Sequence, residues 1–256
     1  MNNKLSKKKS SDKKNIISIV TVIYNNAQQV EETILSVINQ TYQDIEYIII
    51  DGGSTDGTLN IIKKYENFID HIVSEKDDGI YDAMNKGMQL ASGKWINFLN
   101  SGDTFVSKKV IENISFKNYE NYVMVYGNAK IFNAKKIFIK VLKALNLNKN
   151  NLNLFGTRVV CHQAVFYNKK IKFRYPKKYK LKGELYSYFE YLKHGEPAYL
   201  DLIICNYCLG GIGSILLKKN RKEMWRVLKV QVGFMRFLHI PYYIYSKMIF
   251  YYKKLN

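Results

Sequence analysis

Two almost continuous apolar segments near the start of the chain restrict the fold more than any other feature. Residues 16–23 read IISIVTVI, and residues 45–51 read IEYIIID. Apolar runs of this length without alternation are typical of strands that are buried on both faces of a parallel sheet. Such strands joined through an amphipathic helix predict an α/β fold with right-handed crossovers. The helical stripe between the two segments holds Val30, Ile34, Val37, Ile38 and Thr41.

The alternation of strands and helices continues to about Asp103 and then weakens. Turn residues DGGSTDGT follow the second strand, and they separate it from the next predicted helix. In the first half we expect a helix from Thr58, strands over 69–74 and 94–99, and a helix over 80–91. In the second half we expect strands over 123–132, 164–168 and 199–207, a helix over 183–195 that Gly195 closes, and a long helix with Leu217, Met224, Leu228, Val232 and Met235 on one face.

The charge of the chain restricts its partners. Its 256 residues carry a net charge of +19, from 40 basic and 21 acidic residues. This excess is suited to an anionic lipid surface, a phosphate-bearing substrate or a nucleic acid. No run of about 18 uncharged apolar residues occurs, so we expect no transmembrane helix, and the basic start lacks the features of a signal peptide.

The three cysteines exclude one class of metal site. Cys205 and Cys208 are spaced as C-x-x-C, but Cys161 is the only other cysteine, so a zinc site with four cysteines cannot form within the chain. We expect reduced structural thiols in the cytosol.

Polar residues follow three of the predicted strands at the point where each strand ends. Tyr24 and Asn25 follow the first strand and Asp51 ends the second. The segment Asn100-Ser101-Gly102-Asp103 follows the fourth. Because ligands of doubly wound sheets bind outside the carboxyl ends of the strands, these residues predict one shared crevice. Taken singly, each could instead be a polar residue that caps a loop.

Two common phosphate-binding loops do not fit this sequence. In GGSTDG, Ser54 stands where the middle glycine of G-x-G-x-x-G belongs. The segment GMQLASGKW has the wrong spacing for a P-loop, and Trp95 stands where Ser or Thr is required. A dinucleotide-binding dehydrogenase and a P-loop ATPase are therefore poorly supported.

Long segments in the first half of the chain resemble a known family. These are VTVIYNN, SVINQTYQDIEYIIIDGGSTDGT and SEKDDGIYDAMNKGMQLASGKWINFLNSGD, with shorter matches in CHQAVFY, GELYSYFEYLKHG and CLGGIGS. They are similar to the family 2 glycosyltransferases, and within them to the bacterial exopolysaccharide and colanic-acid-type subgroup. The resemblance implies the GT-A fold, a Rossmann-like and mostly parallel central sheet flanked by helices, here with a C-terminal helical extension.

The composition and the weakening alternation divide the chain into four parts, two of which the resemblance interprets. Residues 1–14 are a polar, basic tail that we expect to be disordered. Residues 15–115 are the expected nucleotide-sugar-binding half, and residues 116–214 are the expected acceptor-binding half of the same domain. Residues 215–256 are expected to form C-terminal helices, one of which includes a membrane-surface segment.

The family binds a divalent metal through a D-x-D-like motif after the fourth strand. Here only Asp103 of that motif is a carboxylate, so the resemblance implies Asp103 as the ligand of Mg²⁺ or Mn²⁺, which prefer hard oxygen ligands. The departure from D-x-D puts strict metal dependence in doubt, and the alternative is that Asp103 caps the next turn.

Further positions match residues that bind the nucleotide-sugar in relatives. Asp51 corresponds to a group that accepts from the uracil ring, and Tyr24 is expected to stack on or line the base. The expected contacts around the sugar and phosphates come from Asn25, Asp82, Asn85, Ser101 and His162. The alternatives are that Asp82 is a helix-surface residue and that His162 is structural.

The resemblance implies Glu184 as the general base for the acceptor hydroxyl. Relatives carry an aspartate about eleven residues before a Lys-x-Gly turn, and alignment on Gly195 places Glu184 there. Glu is chemically competent as a base but longer than Asp. The alternative is an ordinary acid in the first turn of a helix, where the helix dipole favours it.

These expectations together predict an inverting glycosyltransferase of the hexosyl or N-acetylhexosaminyl type. It would move a sugar from a nucleotide-sugar to a glycan or lipid-linked acceptor in bacterial surface polysaccharide synthesis. The resemblance favours a UDP-sugar as the donor, with GDP- and dTDP-sugars as alternatives. We expect a cytoplasmic protein on the inner face of the cell membrane, held on the anionic surface by the aromatic and lysine-rich residues 239–256. Two other classes stay open: a binding module that has lost catalysis, and a nucleic-acid-binding protein that only the charge suggests.

Overall fold

A nine-stranded mixed sheet forms the centre of the computed structural model, which describes residues 17–210, 217–238 and 240. The strands are β1 (Ile17–Ile23), β2 (Ile45–Asp51), β3 (His71–Ser74), β4 (Trp95–Phe98), β5 (Thr104–Phe105), β6 (Met124–Phe132), β7 (Phe138–Leu142), β8 (Val165–Asn168) and β9 (Pro197–Cys208). The α-helices are α1 (Val30–Ile38), α2 (Thr58–Lys64), α3 (Ile80–Leu90), α4 (Val110–Ile114), α5 (Lys149–Phe155), α6 (Gly183–Tyr191) and α7 (Leu217–Val232).

The first four strands form the predicted parallel sheet. β1 pairs in parallel with β2 on one side and β4 on the other, and β2 pairs in parallel with β3. In this register Ile23 lies beside Asp51, and Val20 beside Phe98. The carboxyl ends of β1, β2 and β4 therefore meet at one edge.

The second half of the sheet is mixed rather than mostly parallel. β8 runs antiparallel to both β4 and β6, β5 is antiparallel to β9, and β7 is antiparallel to β6. Among the described strands of this half, β6 and β9 form the one parallel pair. The predicted α/β class is confirmed, and its parallel character is confined mainly to the first four strands. The two-residue β5 is too short for an apolar run, and β7, with the apolar sequence FIKVL, is largely exposed; neither was among the predicted strands.

Two hydrophobic cores cover the two faces of the sheet. On one face Val20, Val22 and Ile48 belong to the core that also contains residues of α3 and α6. On the other face Ile19 and Ile49 belong to the core that contains residues of α1 and α4. Because successive side chains of a strand point to opposite faces, the continuous apolar runs supply both cores at once.

Two predictions about the later helices are wrong in detail. α6 ends at Tyr191, where i→i+3 bonds tighten the last turn, so the residue after the helix is Leu192 rather than Gly195. Gly195 lies in the connection to β9. In α7 the chain leaves the α-helix at Gly233, which has a φ of +57°, and Met235 is exposed instead of continuing the packed stripe.

None of the described helices is long and apolar enough to cross a bilayer. The predicted tail over 1–14, the GGIGS turn beyond Gly210 and the membrane-surface segment over 239–256, apart from Ile240, lie outside the described residues. One sheet includes strands from both 15–115 and 116–214, and the division of these ranges into donor and acceptor halves stays a prediction.

Candidate functional site

The loops that follow β1 and β2 are fastened to each other by Asn25. Its backbone adopts a left-handed conformation with a φ of 48°. Its backbone N–H donates to Ser54 Oγ over 2.8 Å, and its side-chain Oδ1 accepts from the Thr55 N–H over 2.8 Å. Asn25 therefore fixes the rim of the crevice, and its predicted contact with a ligand stays a prediction.

Asp51 is fully buried and organises the loop after β2. Its Oδ2 atom accepts from Ser54 N at 3.0 Å, Gly53 N at 3.2 Å and Ser74 Oγ at 2.7 Å. Its Oδ1 atom accepts from Ser54 Oγ. These four donors give the carboxylate a structural role, and its predicted contact with a uracil ring stays a prediction.

Tyr24 and Asp77 flank Gly52 and form an open wall at the strand ends. A Cβ atom on Gly52 would lie 2.6 Å from Asp77 Oδ2 and 3.4 Å from the Tyr24 ring, so glycine permits the close approach. Tyr24 is 66% exposed and offers its ring to a ligand. Burial raises the pKa of Asp77, Lys86 opposes the rise, and Asp82 and Asp51 add to it. Sequence reasoning missed Asp77, although its place three residues after β3 could have indicated it.

Asp82 faces a cluster of charged side chains beside this wall. Lys86 Nζ lies 2.8 Å from Glu75, 3.4 Å from Asp77 and 3.5 Å from Asp82. Asp82 also accepts from the Asp78 N–H at 3.3 Å, at the start of α3. Burial disfavours its ionisation, but the Asp78 N–H and Lys86 together lower its pKa. Asp82 is thus an ionised helix-start residue in this structure.

Asn85 and Ser101 are already engaged by neighbouring loops. The Asn85 side chain donates to Tyr175 O at 2.9 Å and accepts from Tyr175 N at 2.8 Å. Ser101 Oγ accepts from Asn26 Nδ2 at 2.9 Å, which links the loop after β4 to the loop after β1. Both residues lie near the predicted crevice, and their predicted ligand contacts stay predictions.

Glu184 lies in the first turn of α6 against α3. Its side chain is 15% exposed and accepts a hydrogen bond from the Tyr81 hydroxyl. Lys182 Nζ lies 3.4 Å from its other oxygen. A Cβ atom on Gly183 would lie 2.8 Å from the Tyr81 ring, so glycine is needed for this approach. Tyr81 and Glu184 are 103 residues apart, and no local pattern indicated their contact.

His162 lies near Glu184, among aromatic side chains. Its ring stacks on Phe98 with a centroid distance of 5.6 Å, and its Nδ1 lies 3.1 Å from the Tyr167 hydroxyl. Burial lowers the pKa of His162 to about 4, although Glu184 opposes the shift. His162 is therefore neutral at pH 7. Its enclosed Nε2 has no hydrogen-bond partner among the described residues.

Asp103 is buried in the loop after β4, and its side chain contacts the end of β9. Its Oδ1 accepts from the Cys208 N–H at 2.9 Å, and its backbone carbonyl accepts from Thr33 Oγ1 at 2.8 Å. Burial raises the pKa of Asp103 to about 8, against hydrogen bonds from Cys208 and Gln163 that lower it. The side chain thus acts as a buried acceptor that fastens β9.

These surroundings do not fit a preformed site for the predicted Mg²⁺ or Mn²⁺. Within the described ranges, no three His, Cys, Asp or Glu side chains are grouped closely enough to hold a metal ion. A buried carboxyl whose pKa is raised to about 8 is a poor ligand for a hard divalent cation until it ionises. Cys161, Cys205 and Cys208 are free, as expected of reduced thiols.

The comparison with known families decides the class of the protein. The profile of the family described as "Glycosyl transferase family 2" matches residues 18–190, more than half of the chain. The chain belongs to glycosyl transferase family 2. The matched residues include β1 to β4 and reach into α6, so they contain both Tyr24 and Glu184.

Curated relatives carry glycosyltransferase names. A "PGL/p-HBAD biosynthesis glycosyltransferase" of Mycobacterium bovis is 31% identical over 161 residues, which are 60% of this chain and 59% of that protein. An uncharacterized glycosyltransferase of Mycobacterium tuberculosis is 29% identical over 207 residues, 77% of each chain. The chain thus spans less than two thirds of the first relative's length.

Solved structures share the fold. S. aureus TarS 1-349 in complex with UDP-GlcNAc superimposes with a TM-score of 0.66 at 16% identity, over 84% of this chain and 65% of that one. The mannosyltransferase PcManGT of Pyrobaculum calidifontis, in complex with GDP-Man and Mn²⁺, gives a TM-score of 0.63 at 13% identity, over 91% and 71%. Both are GT-A enzymes, so the expected GT-A fold is confirmed.

The burial of Asp103 predicts a stability role that can be measured. Asp103→Ala should lower the free energy of unfolding by about 1–3 kcal/mol because Cys208 and Gln163 lose a buried partner. Asp103→Asn keeps an acceptor oxygen and should cost less. Urea denaturation measures both, with the exposed Glu66→Ala as the control. An Asp103→Ala variant as stable as the wild type but unable to bind Mn²⁺ would favour the metal-ligand role instead.

Proposed function

We propose that this chain is an inverting glycosyltransferase that moves a sugar from a nucleotide-sugar to a hydroxyl of a glycan or lipid-linked acceptor. Membership of family 2 supports glycosyl transfer, and the geometry around α3 supports the assignment of roles. The sugar is proposed to be a hexose or N-acetylhexosamine, and the pathway to be bacterial surface polysaccharide synthesis of the exopolysaccharide and colanic-acid type.

The observation that carries this proposal is the position of the first turn of α3. Its Tyr81 contacts Glu184, while the next residue, Asp82, contacts Lys86 beside Asp77. One helix start therefore links the wall of Tyr24 and Asp77 to the candidate base. A nucleotide on that wall would direct its sugar across α3 towards Glu184.

In the proposed reaction, the acceptor oxygen bonds to the anomeric carbon of the donor as its proton passes to the Glu184 carboxylate. The bond from that carbon to the diphosphate oxygen breaks, and the nucleoside diphosphate leaves with the electron pair. Because attack and departure occur on opposite faces in one displacement, the anomeric configuration inverts. The Tyr81 hydroxyl and Lys182 orient the carboxylate.

Glu184 is favoured over two other candidate bases. His162 has a pKa near 4, so its neutral ring is a weak base, and its Nε2 is enclosed away from solvent. Asp82 is paired with Lys86, which lowers its pKa and its basicity. Glu184 is favoured because its place before Gly195 matches the acid of the relatives, and because Tyr81 of α3 donates to its carboxylate.

The proposed donor is a UDP-sugar. TarS was solved with UDP-GlcNAc and shares the fold, whereas PcManGT was solved with GDP-Man, so a GDP-sugar is the principal alternative. No step of the proposal passes through Mg²⁺ or Mn²⁺, because the described residues do not fit a preformed metal site. The acceptor is proposed to be presented at the cytoplasmic face of the membrane.

Binding of the nucleotide base is predicted to depend on Tyr24. Tyr24→Ala should weaken UDP binding about 5- to 150-fold, since stacking of a base on an aromatic ring contributes about 1–3 kcal/mol. Isothermal titration calorimetry measures this affinity. Tyr122→Ala is the matched control, because Tyr122 is also exposed but precedes β6 at the opposite edge of the sheet. Equal affinities for both variants and the wild type would contradict the placement of the base.

Catalysis is predicted to depend on the Glu184 carboxylate. Glu184→Gln is nearly isosteric, so UDP affinity should be kept while kcat falls about 10²- to 10⁴-fold, the usual contribution of a general base. Steady-state release of nucleoside diphosphate measures kcat.

The matched control for this variant is Glu190→Gln on the same helix. Glu190 bonds to Lys193 and Gln231 rather than to Tyr81, so its substitution should change kcat little. A decrease of less than tenfold for Glu184→Gln would exclude Glu184 as the base and direct attention to Asp82.

A further inference from the structure

One face of α7 carries exposed positive charge. Six of the sixteen residues in LKKNRKEMWRVLKVQV are basic, and its single acid, Glu223, is buried. Spacings of three, four and three residues place four of the basic side chains on one stripe of the helix. Val227 and Leu228, elsewhere on the helix surface, are fully buried in the core. The exposed stripe consists of Lys219, Lys222, Arg226 and Lys229.

Exposed apolar side chains continue from the end of this stripe. Phe234 is 82% exposed, Val230 59%, Met235 53% and Phe237 42%. Phe234 packs edge-on against Phe237 at 5.1 Å, and the Arg236 guanidinium lies 4.5 Å from the Phe237 ring centre. An apolar group of this kind beside a basic stripe is unusual on a surface that contacts only water. We call the four basic and four apolar residues together the α7 patch.

Hydrogen bonds fix the α7 patch beside the candidate site. The buried Glu223 carboxylate accepts from the backbone N–H groups of Lys180 and Leu181, directly before α6 and Glu184. Gln231 Nε2 donates to Glu190 on α6 at 2.6 Å. Asn153 Nδ2 donates to the Met235 carbonyl at 2.7 Å. Whatever binds the patch is therefore held at a fixed place relative to Glu184.

We propose that the α7 patch docks on an anionic lipid bilayer. Lysine and arginine side chains are attracted to anionic headgroups, and Phe, Met and Val gain by insertion at the headgroup boundary. A nucleic acid would use the cations but would leave Val230 and Met235 in water, so the combination favours lipid. The net charge of +19 adds a long-range attraction of the same sign. This surface lies within the described residues and is distinct from the segment 239–256.

The test uses the full chain and co-sedimentation with vesicles of phosphatidylglycerol and phosphatidylcholine. The variant Lys222→Ala with Arg226→Ala should weaken binding about 25-fold, at about fivefold per basic residue. The control pair Lys63→Ala with Lys64→Ala removes the same charge from exposed positions of α2 and should weaken it much less. Phe234→Ser should weaken the binding that persists in high salt, because that part is apolar and Phe234 is the most exposed of the four apolar residues.

UDP affinity and thermal unfolding serve as checks that the variants fold, and neither depends on membrane binding. Equal losses for the α7 and α2 pairs would show attraction by net charge alone and would overturn the proposal. Equal binding of anionic vesicles by the Phe234→Ser and wild-type proteins in high salt would also overturn it. A third result would also overturn the proposal: a random oligonucleotide that displaces the wild-type protein from vesicles but does not displace the Lys222→Ala, Arg226→Ala variant. Co-sedimentation needs no catalysis, so its result can be interpreted even if the transferase assay shows no activity.

Discussion

The parallel pairing of β1 with β2 and β4 is the constraint on which the site depends. These strands are buried on both faces, and the few polar side chains within them are hydrogen-bonded inside the protein, as Ser18 is to Glu46 and Thr21 to Tyr47. The register then brings Asp51 beside Ile23, and the loops that follow are joined through Asn25, Ser54 and Asp51. Burial of the carboxylate of Asp51 is tolerated because four donors surround it. The rigid edge that results presents the open ring of Tyr24 to solvent.

A second contact, between α3 and α6, gives this edge its chemical character. Tyr81 stacks on Tyr175 at 4.9 Å and directs its hydroxyl at Glu184, and Gly183 allows the two helices to approach. Burial holds the pKa of the Tyr81 hydroxyl well above its usual range, so it stays protonated and donates. A neutral His162 completes the surroundings. The Glu184 carboxylate therefore has a neutral phenol and the Lys182 ammonium group as its neighbours.

The parts predicted from the sequence are those that local patterns determine. Nearly continuous apolar runs predicted β1 and β2, and a helical stripe predicted α1. β7 pairs with the preceding strand β6, but most of its side chains are exposed, and it was not among the predicted strands. The antiparallel pairing of β8 with β4 and of β5 with β9 joins strands that are far apart in the chain. For the same reason the burial of Asp103 against Cys208, 105 residues away, and the contact of Tyr81 with Glu184 could not be predicted. The family resemblance supplied the candidate residues, and the structure supplied their surroundings.

All of these roles require that the protein transfers a sugar from a nucleotide donor bound in this crevice. The most direct measurement is the release of nucleoside diphosphate by the purified chain from a panel of UDP-, GDP- and dTDP-sugars. It should be made with a lipid-linked acceptor extract, and with Mn²⁺ or EDTA. We expect acceptor-dependent release from a single donor, and a UDP-sugar is the first candidate. Tight nucleotide binding with no release from any donor under either condition would contradict it and would indicate a binding module without catalysis.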